Sequence, residues 1–355
     1  MRDVLLDNLK FVLISLVIIG HVIEPVIGRF DWVKSIYVFI FIFHMPMFAY
    51  ASGAVSSRNI DNSVVNNIVA KLLIPYLSLE LIYSFFDYFM FSRDSLTISP
   101  LVPYWILWYL FSLAIWRLLL PIFNQLKFPV LFAILAGLAC GINRFDFYLA
   151  FSRTFVFFPF FMIGHYYHLS VIKKIHNSGI IKIIGVGFIF VFFVVMLVIP
   201  ENLDFNLGWI YGSRSYSRLG VDWLNGVFYR LLVYIAAIML GLSVLSIIKT
   251  VRCAGTRYGE DSLYIYVLHG FFMKSLIAMG FYRYIDKGYK VVVLMVVSLL
   301  LLPLLRLPIL KIICGNIMNP LGSLSNGGLA RLVLHNQPEG NYSSARLKSR
   351  LGIGE

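Results

Sequence analysis

The chain has 355 residues, of which 60% are hydrophobic, 16% aromatic and only 13% charged, with mean hydropathy +0.84 and formal net charge +13. A soluble domain carries about 25% charged residues, so this chain has too little polar surface to coat a water-soluble particle. A cytosolic enzyme, a disordered chain and a small disulfide scaffold are excluded. An all-α, polytopic membrane protein is left.

A bilayer core needs about 20 mainly apolar residues per helix. By that rule the sequence predicts about ten spans, near 9–27, 34–54, 66–91, 103–122, 127–142, 153–171, 179–199, 224–248, 260–281 and 289–314. Residues 1–314 are thus expected to form one transmembrane helical bundle. Residues 315–355, rich in Gly, Ser, Asn and Arg, are expected as a polar, flexible cytoplasmic tail. The first apolar run is too long for the core of a cleaved signal and reads as the first span. The polar stretch 201–223 is the longest connection, and no internal repeat points to a duplicated transporter fold.

An even number of spans puts both termini on one side. Of the 30 Lys and Arg residues, 17 fall on that side and 11 opposite, so the termini are expected in the cytoplasm. The basic residues are dispersed among apolar segments and build no nucleic-acid docking face. Cys140, Cys253 and Cys314 stand singly, which argues against a zinc site, any other metal site or a disulfide framework.

Ionisable groups inside spans are costly, about 2.5–3.5 kcal/mol each, and call for a partner or a task. The first span carries Asp7, Lys10, His21 and Glu24. Lys10 and His21 are eleven residues apart, which returns to nearly the same helical face about 16 Å further on. Such a stripe should face a wet cavity, with Glu24 orienting or charging His21. The competing reading is a snorkelling lysine and a histidine bonded to a neighbouring carbonyl.

In the second span His44 precedes Pro46, which frees a backbone carbonyl. Either His44 handles protons or substrate at the depth of His21, or it caps the carbonyls that the proline leaves open. If both histidines work together, they should line one cavity reaching toward Lys10. Glu80, mid-span in the third helix, is either a polar link between helices or part of the site. Trp105, Trp108 and Trp116 are interfacial or core aromatics, or a floor for a sugar ring. Arg153 and Arg230 sit at span ends where anchoring is the default, and His269 lies mid-helix. His165, His168 and His176 fall near the cytoplasmic end of the sixth span and read as interfacial. No H-E-x-x-H, G-x-S-x-G or P-loop is present.

Taken together these residues resemble the membrane acyltransferase 3 family, in the branch of the fucose 4-O-acetylases. The likeness rests on Asp7–Lys10–His21, with His21 closing ISLVIIGH, and on FIFHMPMF with His44 and Pro46, followed by Ser52 and Gly53. Further matches are KLLIPYL (71–77), WILWYLFSL (105–113), RTFVFFPFFMIGHYY (153–167) and TRYGEDSLYIYVLHG (256–270). In this order they cover roughly residues 7–270. Many relatives carry arginine where Lys10 stands, and Glu80 is outside the pattern.

The resemblance implies an O-acetyltransferase of the bacterial inner membrane. It would move acetyl from cytoplasmic acetyl-CoA, with no permanently bound cofactor, to a hydroxyl of a surface glycan or lipid-linked sugar. It makes His21 the leading catalytic residue, as general base or transient acyl carrier, and Lys10 the next. On this reading His21, Glu24 and His44 form the catalytic group and Lys10 holds the phosphates of CoA. Arg153, Arg230, His269 and Glu80 bind substrate, and His44, Arg153 or Arg230 donates to the carbonyl oxygen as charge develops. The alternative is a membrane carrier or flippase for lipid-linked sugars that uses the same histidines as proton relays.

Overall fold

The computed structural model describes residues 3–57, 62–142, 148–176, 178–198 and 205–318. Among these every regular element is helical, with no strand. The elements are α1 (Val4–Ile23), α2 (Asp31–Ala54), α3 (Asn62–Ile68), α4 (Ile74–Met90), α5 (Trp108–Asn124), α6 (Pro129–Ala139), α7 (Phe151–His176) and α8 (Gly179–Val198). They continue with α9 (Gly208–Tyr211), α10 (Trp223–Ile247), α11 (Thr256–Glu260), α12 (Ser262–Ala278), α13 (Gly288–Ser298), α14 (Leu301–Leu305) and α15 (Pro308–Met318). A single π-helical stretch, Val69–Leu73, joins α3 to α4.

Eight helical stretches among the described residues are long and apolar enough to cross a bilayer. The chain is a multi-pass membrane protein. The helices of the fifth and ninth predicted spans are shorter, 11 residues in α6 and 17 in α12. At 1.5 Å per residue α6 is about 17 Å long and does not cross a 30 Å core alone. The tenth predicted span is broken into α13, α14 and α15. Prolines are the cause. The ring of Pro303 opposes the carbonyl four residues back, at Leu299, and Pro308 pushes Leu307 out of the helical region. The last described helix ends at Met318, four residues past the predicted domain edge at 314, and the rest of the predicted tail lies outside the described residues.

Burial ranks the helices. In α2, 83% of the apolar window is buried, against 6% in α8. Helix α2 is therefore the hub, packed on α1, α7, α8 and α10, while α8 turns its apolar side chains to lipid. Its tightest partner is α7. A Cβ on Gly53 would lie 1.9 Å from the Phe161 carbonyl oxygen, and one on Gly164 would lie 2.0 Å from that of Tyr50. Only hydrogen fits at either place, so the two backbones touch, and this contact fixes α2 against α7.

The N-terminal end of α1 is held by polar groups. Asp3 caps the helix by accepting from the amides of Leu5 and Leu6. Asn8 donates to the Lys249 and Val251 carbonyls at 2.8 and 3.0 Å and accepts from the Thr256 hydroxyl at 2.5 Å. Those bonds tie α1 to the turn between α10 and α11. His168, expected at the interface, is buried. Its Nδ1 meets the Tyr50 hydroxyl at 3.0 Å and its Nε2 meets the Asp3 carboxylate at 3.1 Å. The side chain of His176 lies outside the described residues.

Candidate active site

Helix α1 ends where Pro25 enters the 3-10 turn Glu24–Val26. That stop sets Glu24 one turn beyond His21, and His21 Nδ1 lies 3.0 Å from Glu24 Oε2. A carboxylate only accepts, so in the neutral ring Nδ1 carries the proton and Nε2 keeps its lone pair. The pair has the geometry of a carboxylate-oriented general base.

The His21 ring is enclosed by aromatic groups from three other segments. It stacks on His269 of α12, with centroids 5.4 Å apart and planes at 30°. Trp105 stands edge-on at 4.9 Å, and Phe41 of α2 at 5.5 Å. His269 donates through Nδ1 to the Tyr266 carbonyl at 2.5 Å, which leaves its buried Nε2 without a partner among the described residues. His44 likewise donates through Nδ1 to the Ile40 carbonyl at 2.9 Å. A carbonyl cannot donate, so in neutral His44 and His269 the free Nε2 is an acceptor.

His21, Glu24 and His44 line one cavity of about 110 Å³, together with Arg153, Trp105, Trp108, Tyr37, Phe41, Tyr211 and Tyr266. The Arg153 guanidinium lies 5.1 Å over the Trp108 ring, and its Nε has no hydrogen-bond partner among the described residues. Tyr37 and Tyr211 share a 2.8 Å hydroxyl–hydroxyl bond, and Tyr37 stacks on Phe41 at 3.9 Å. The chamber thus holds a partly buried base, a cation with an open donor and several phenols.

The remaining candidates lie elsewhere. Lys10 sits 3.4 Å from Asp7 and lines a separate cavity of about 630 Å³ with Asp3, Ser56, His165 and His168. The single cavity expected to join His21 and His44 to Lys10 is therefore two: the histidines share one chamber and Lys10 lines the other. The reason is that residues 13, 14, 17 and 18 of α1, which lie between Lys10 and His21, are fully packed apolar side chains. Arg230 is fully buried outside the chamber, donating to the Trp209 carbonyl at 2.8 Å with its guanidinium 5.3 Å over the Trp209 ring. Glu80 accepts from the Tyr104 amide at 2.9 Å and lines a third cavity. Of the tryptophans, Trp105 and Trp108 face the chamber. Trp116 is buried apart, with its indole donating to the Thr154 carbonyl at 2.7 Å.

Three tyrosines of the chamber carry no signal that the sequence reading used. Tyr37 lies seven residues before His44 and Phe41 three before it, a helical face that periodicity would have found. Tyr266 lies three residues before His269 on α12. Tyr211 comes from the polar connection 201–223, whose described residues 205–222 fold into α9 and a 3-10 turn, Ser217–Leu219. No periodicity marks it, because α9 is a single helical turn.

The sequence profile of the acyltransferase domain family matches residues 3–309. Part of the chain is similar to the nodulation protein NolL of Mesorhizobium japonicum, with 32% identity over 147 residues, 37% of this chain and 39% of that protein. It is similar to the nodulation protein NolL of Sinorhizobium fredii at 31% over 141 residues, 36% of this chain and 38% of the relative. These matches span less than two fifths of the length of either curated relative. No solved structure matches the chain.

Proposed function

The chain belongs to the acyltransferase 3 family, and from that premise we propose that it transfers acetyl from cytoplasmic acetyl-CoA to a hydroxyl of a surface polysaccharide or lipid-linked sugar. Its setting in this reading is the bacterial inner membrane, with both termini cytoplasmic. The observation that carries the proposal is the His21–Glu24 pair facing Arg153 across a membrane-embedded chamber.

The steps follow from which atoms are free. The lone pair on His21 Nε2 accepts the proton of the sugar hydroxyl, and the oxygen adds to the thioester carbonyl carbon. Negative charge then develops on the carbonyl oxygen and needs a donor that is already in place. Three residues were candidates for that donor. Neutral His44 presents an acceptor nitrogen, and Arg230 lies outside the chamber. Arg153 remains, with an open Nε–H. When the carbon–sulfur bond breaks, the imidazolium returns its proton to the departing thiolate. Glu24 balances the imidazolium in between, a task for which His44 has only a carbonyl partner. That difference makes His21 the base.

The phosphate end of the donor is assigned to the cavity of Lys10, so its thioester must pass the apolar side chains of α1 to meet His21. The cavity volume of about 630 Å³ lies within the usual range for ligand sites of about 300–1,000 Å³. Lys10 and His165 line it and can donate to phosphate, whereas both ring nitrogens of His168 are engaged, by Tyr50 and Asp3. The test uses membranes containing the protein, isotopically labelled acetyl-CoA and the total surface glycan of the host. Label is expected to pass to the glycan. No transfer to an intact acceptor would favour the carrier reading instead.

Orientation has its own measurement. Cys253 is partly exposed beside Asn8, whereas Cys140 and Cys314 are buried. A hydrogen bond with Thr256 holds the Cys253 thiol below its usual range, which raises its thiolate fraction. A membrane-impermeant maleimide should therefore label the folded protein at Cys253 in inverted vesicles and not in right-side-out ones. The opposite pattern would place the termini outside.

A further inference from the structure

The chamber around His21, at about 110 Å³, is well below the range of about 300–1,000 Å³ typical of ligand sites. It has room for the reacting acyl and hydroxyl groups but not for recognition of a whole acceptor. A second polar cavity adjoins it. At the end of α4 remote from Lys71, Glu80, Ser84, Asp87, Thr97 and Tyr104 line a cleft of about 380 Å³. Tyr104 faces this cleft, and the next residue, Trp105, lines the chamber of His21.

We propose that this cleft is the acceptor subsite and takes a neutral, polyhydroxylated sugar ring, an inference that rests on the acetyltransferase reading above. The Glu80 side chain supplies the central observation. It is only 2% exposed, and one oxygen accepts from the Tyr104 amide. Glu80 lines the cleft, and the Tyr104 amide is the one hydrogen-bond donor its carboxylate meets among the described residues. A buried carboxylate in a membrane helix needs a donor at each oxygen, and a sugar hydroxyl is one.

The charges around it favour neutral over acidic sugars. The cleft holds three carboxylates, Glu80, Asp87 and Asp94, and one arginine, Arg93. Arg93 and Lys274 are both engaged with Asp87, at 3.5 and 3.4 Å. Among the described residues carboxylates outnumber cations in the cleft, and an added carboxylate would meet Glu80 at close range.

The subsite is also linked to the reaction chamber. The Tyr104 hydroxyl donates to Asp87 at 2.8 Å, and the Lys274 ammonium lies 5.0 Å over the Tyr104 ring and 5.5 Å over that of Trp105. Trp105 has φ +30°, a left-handed conformation that a tryptophan holds only under constraint. The bonds from Glu80 and Asp87 to Tyr104 are that constraint. They hold the wall between the two cavities in one position, so a ring seated on Glu80 can direct a hydroxyl past Trp105 toward His21.

The test is binding to the full chain in nanodiscs, without acyl donor, read by saturation-transfer NMR. The probes are maltotriose, cellotriose and chitotriose, with trigalacturonate as the acidic comparison. At least one neutral trisaccharide is expected to bind, and Glu80→Gln to weaken it at least tenfold. Because Glu80 also holds Tyr104, a second variant, Thr97→Trp, fills the cleft without touching these bonds and should abolish binding. Preferred binding of trigalacturonate, no binding of any neutral probe, or wild-type binding by Thr97→Trp would overturn the assignment. Since no donor is present, failed acetyl transfer leaves this result standing, and failed sugar binding leaves the donor assay readable.

Discussion

Replacing His21 by alanine is expected to cut acetyl transfer by about 10²–10⁴-fold, the usual contribution of a positioned general base. The protein should still reach the membrane at its normal level. His21 packs against Trp105, Phe41 and His269 but ties no helix to another by a hydrogen bond, since its one such partner is Glu24, three residues on. Glu24→Gln should cost about as much, 10²–10⁴-fold, as when the carboxylate partner of a catalytic histidine becomes an amide. The glutamine keeps a hydrogen bond but can donate to Nδ1, which moves the proton to Nε2 and occupies the lone pair the reaction needs. Both are measured as glycan-bound label per unit of membrane protein. Wild-type transfer by His21→Ala would remove His21 from the chemistry and leave the open nitrogens of His44 and His269 to be tried.

Gly164→Ala is expected to be among the most damaging changes to the fold that add a single methyl group. The new Cβ would lie 2.0 Å from the Tyr50 carbonyl oxygen and 2.9 Å from its Cα. These are backbone atoms and cannot swing aside, so α7 must move away from α2. Overpacking in a close-packed interior costs about 1–3 kcal/mol, occasionally more, and a rigid backbone opponent places this site at the upper end. Helix α2 carries His44 and α7 carries Arg153. A shift between them therefore opens the chamber as well as weakening the bundle. Thermal unfolding followed by size-exclusion chromatography in detergent should show a lowered midpoint. Gly187→Ala, where an added Cβ meets nothing within 4 Å, serves as the control and should behave as wild type. Equal midpoints for the two variants would show that the α2–α7 contact is not what holds the helices in register.

Much of the architecture was legible because a bilayer imposes a length rule. Apolar stretches of about 20 residues can satisfy their backbone polar groups there only as helices. The long spans were therefore visible from hydropathy alone. The breaks in the last predicted span were visible only as Pro303 and Pro308, and the window average that finds spans hides such local punctuation. The pairing of His21 with Glu24 was also legible, because residues three apart on a helix are neighbours wherever the helix packs.

The meeting of His21 with His44, His269 and Arg153 was a different matter. These residues belong to α1, α2, α12 and α7, and no spacing along the chain relates them. Nor did the stripe from Lys10 to His21 reveal that packed apolar side chains divide it between two cavities. Arg153 and Arg230 read alike in the sequence, as arginines at span ends, yet one faces the chamber and the other lies against Trp209. The sequence by itself determined the membrane class, the helices and the local carboxylate–imidazole pair, since each depends on interactions within a few turns. The tertiary structure decided which side chains share a cavity, because that depends on helix rotation and contact between segments far apart in the chain. At the α2–α7 interface the deciding feature is two glycines that let the backbones touch.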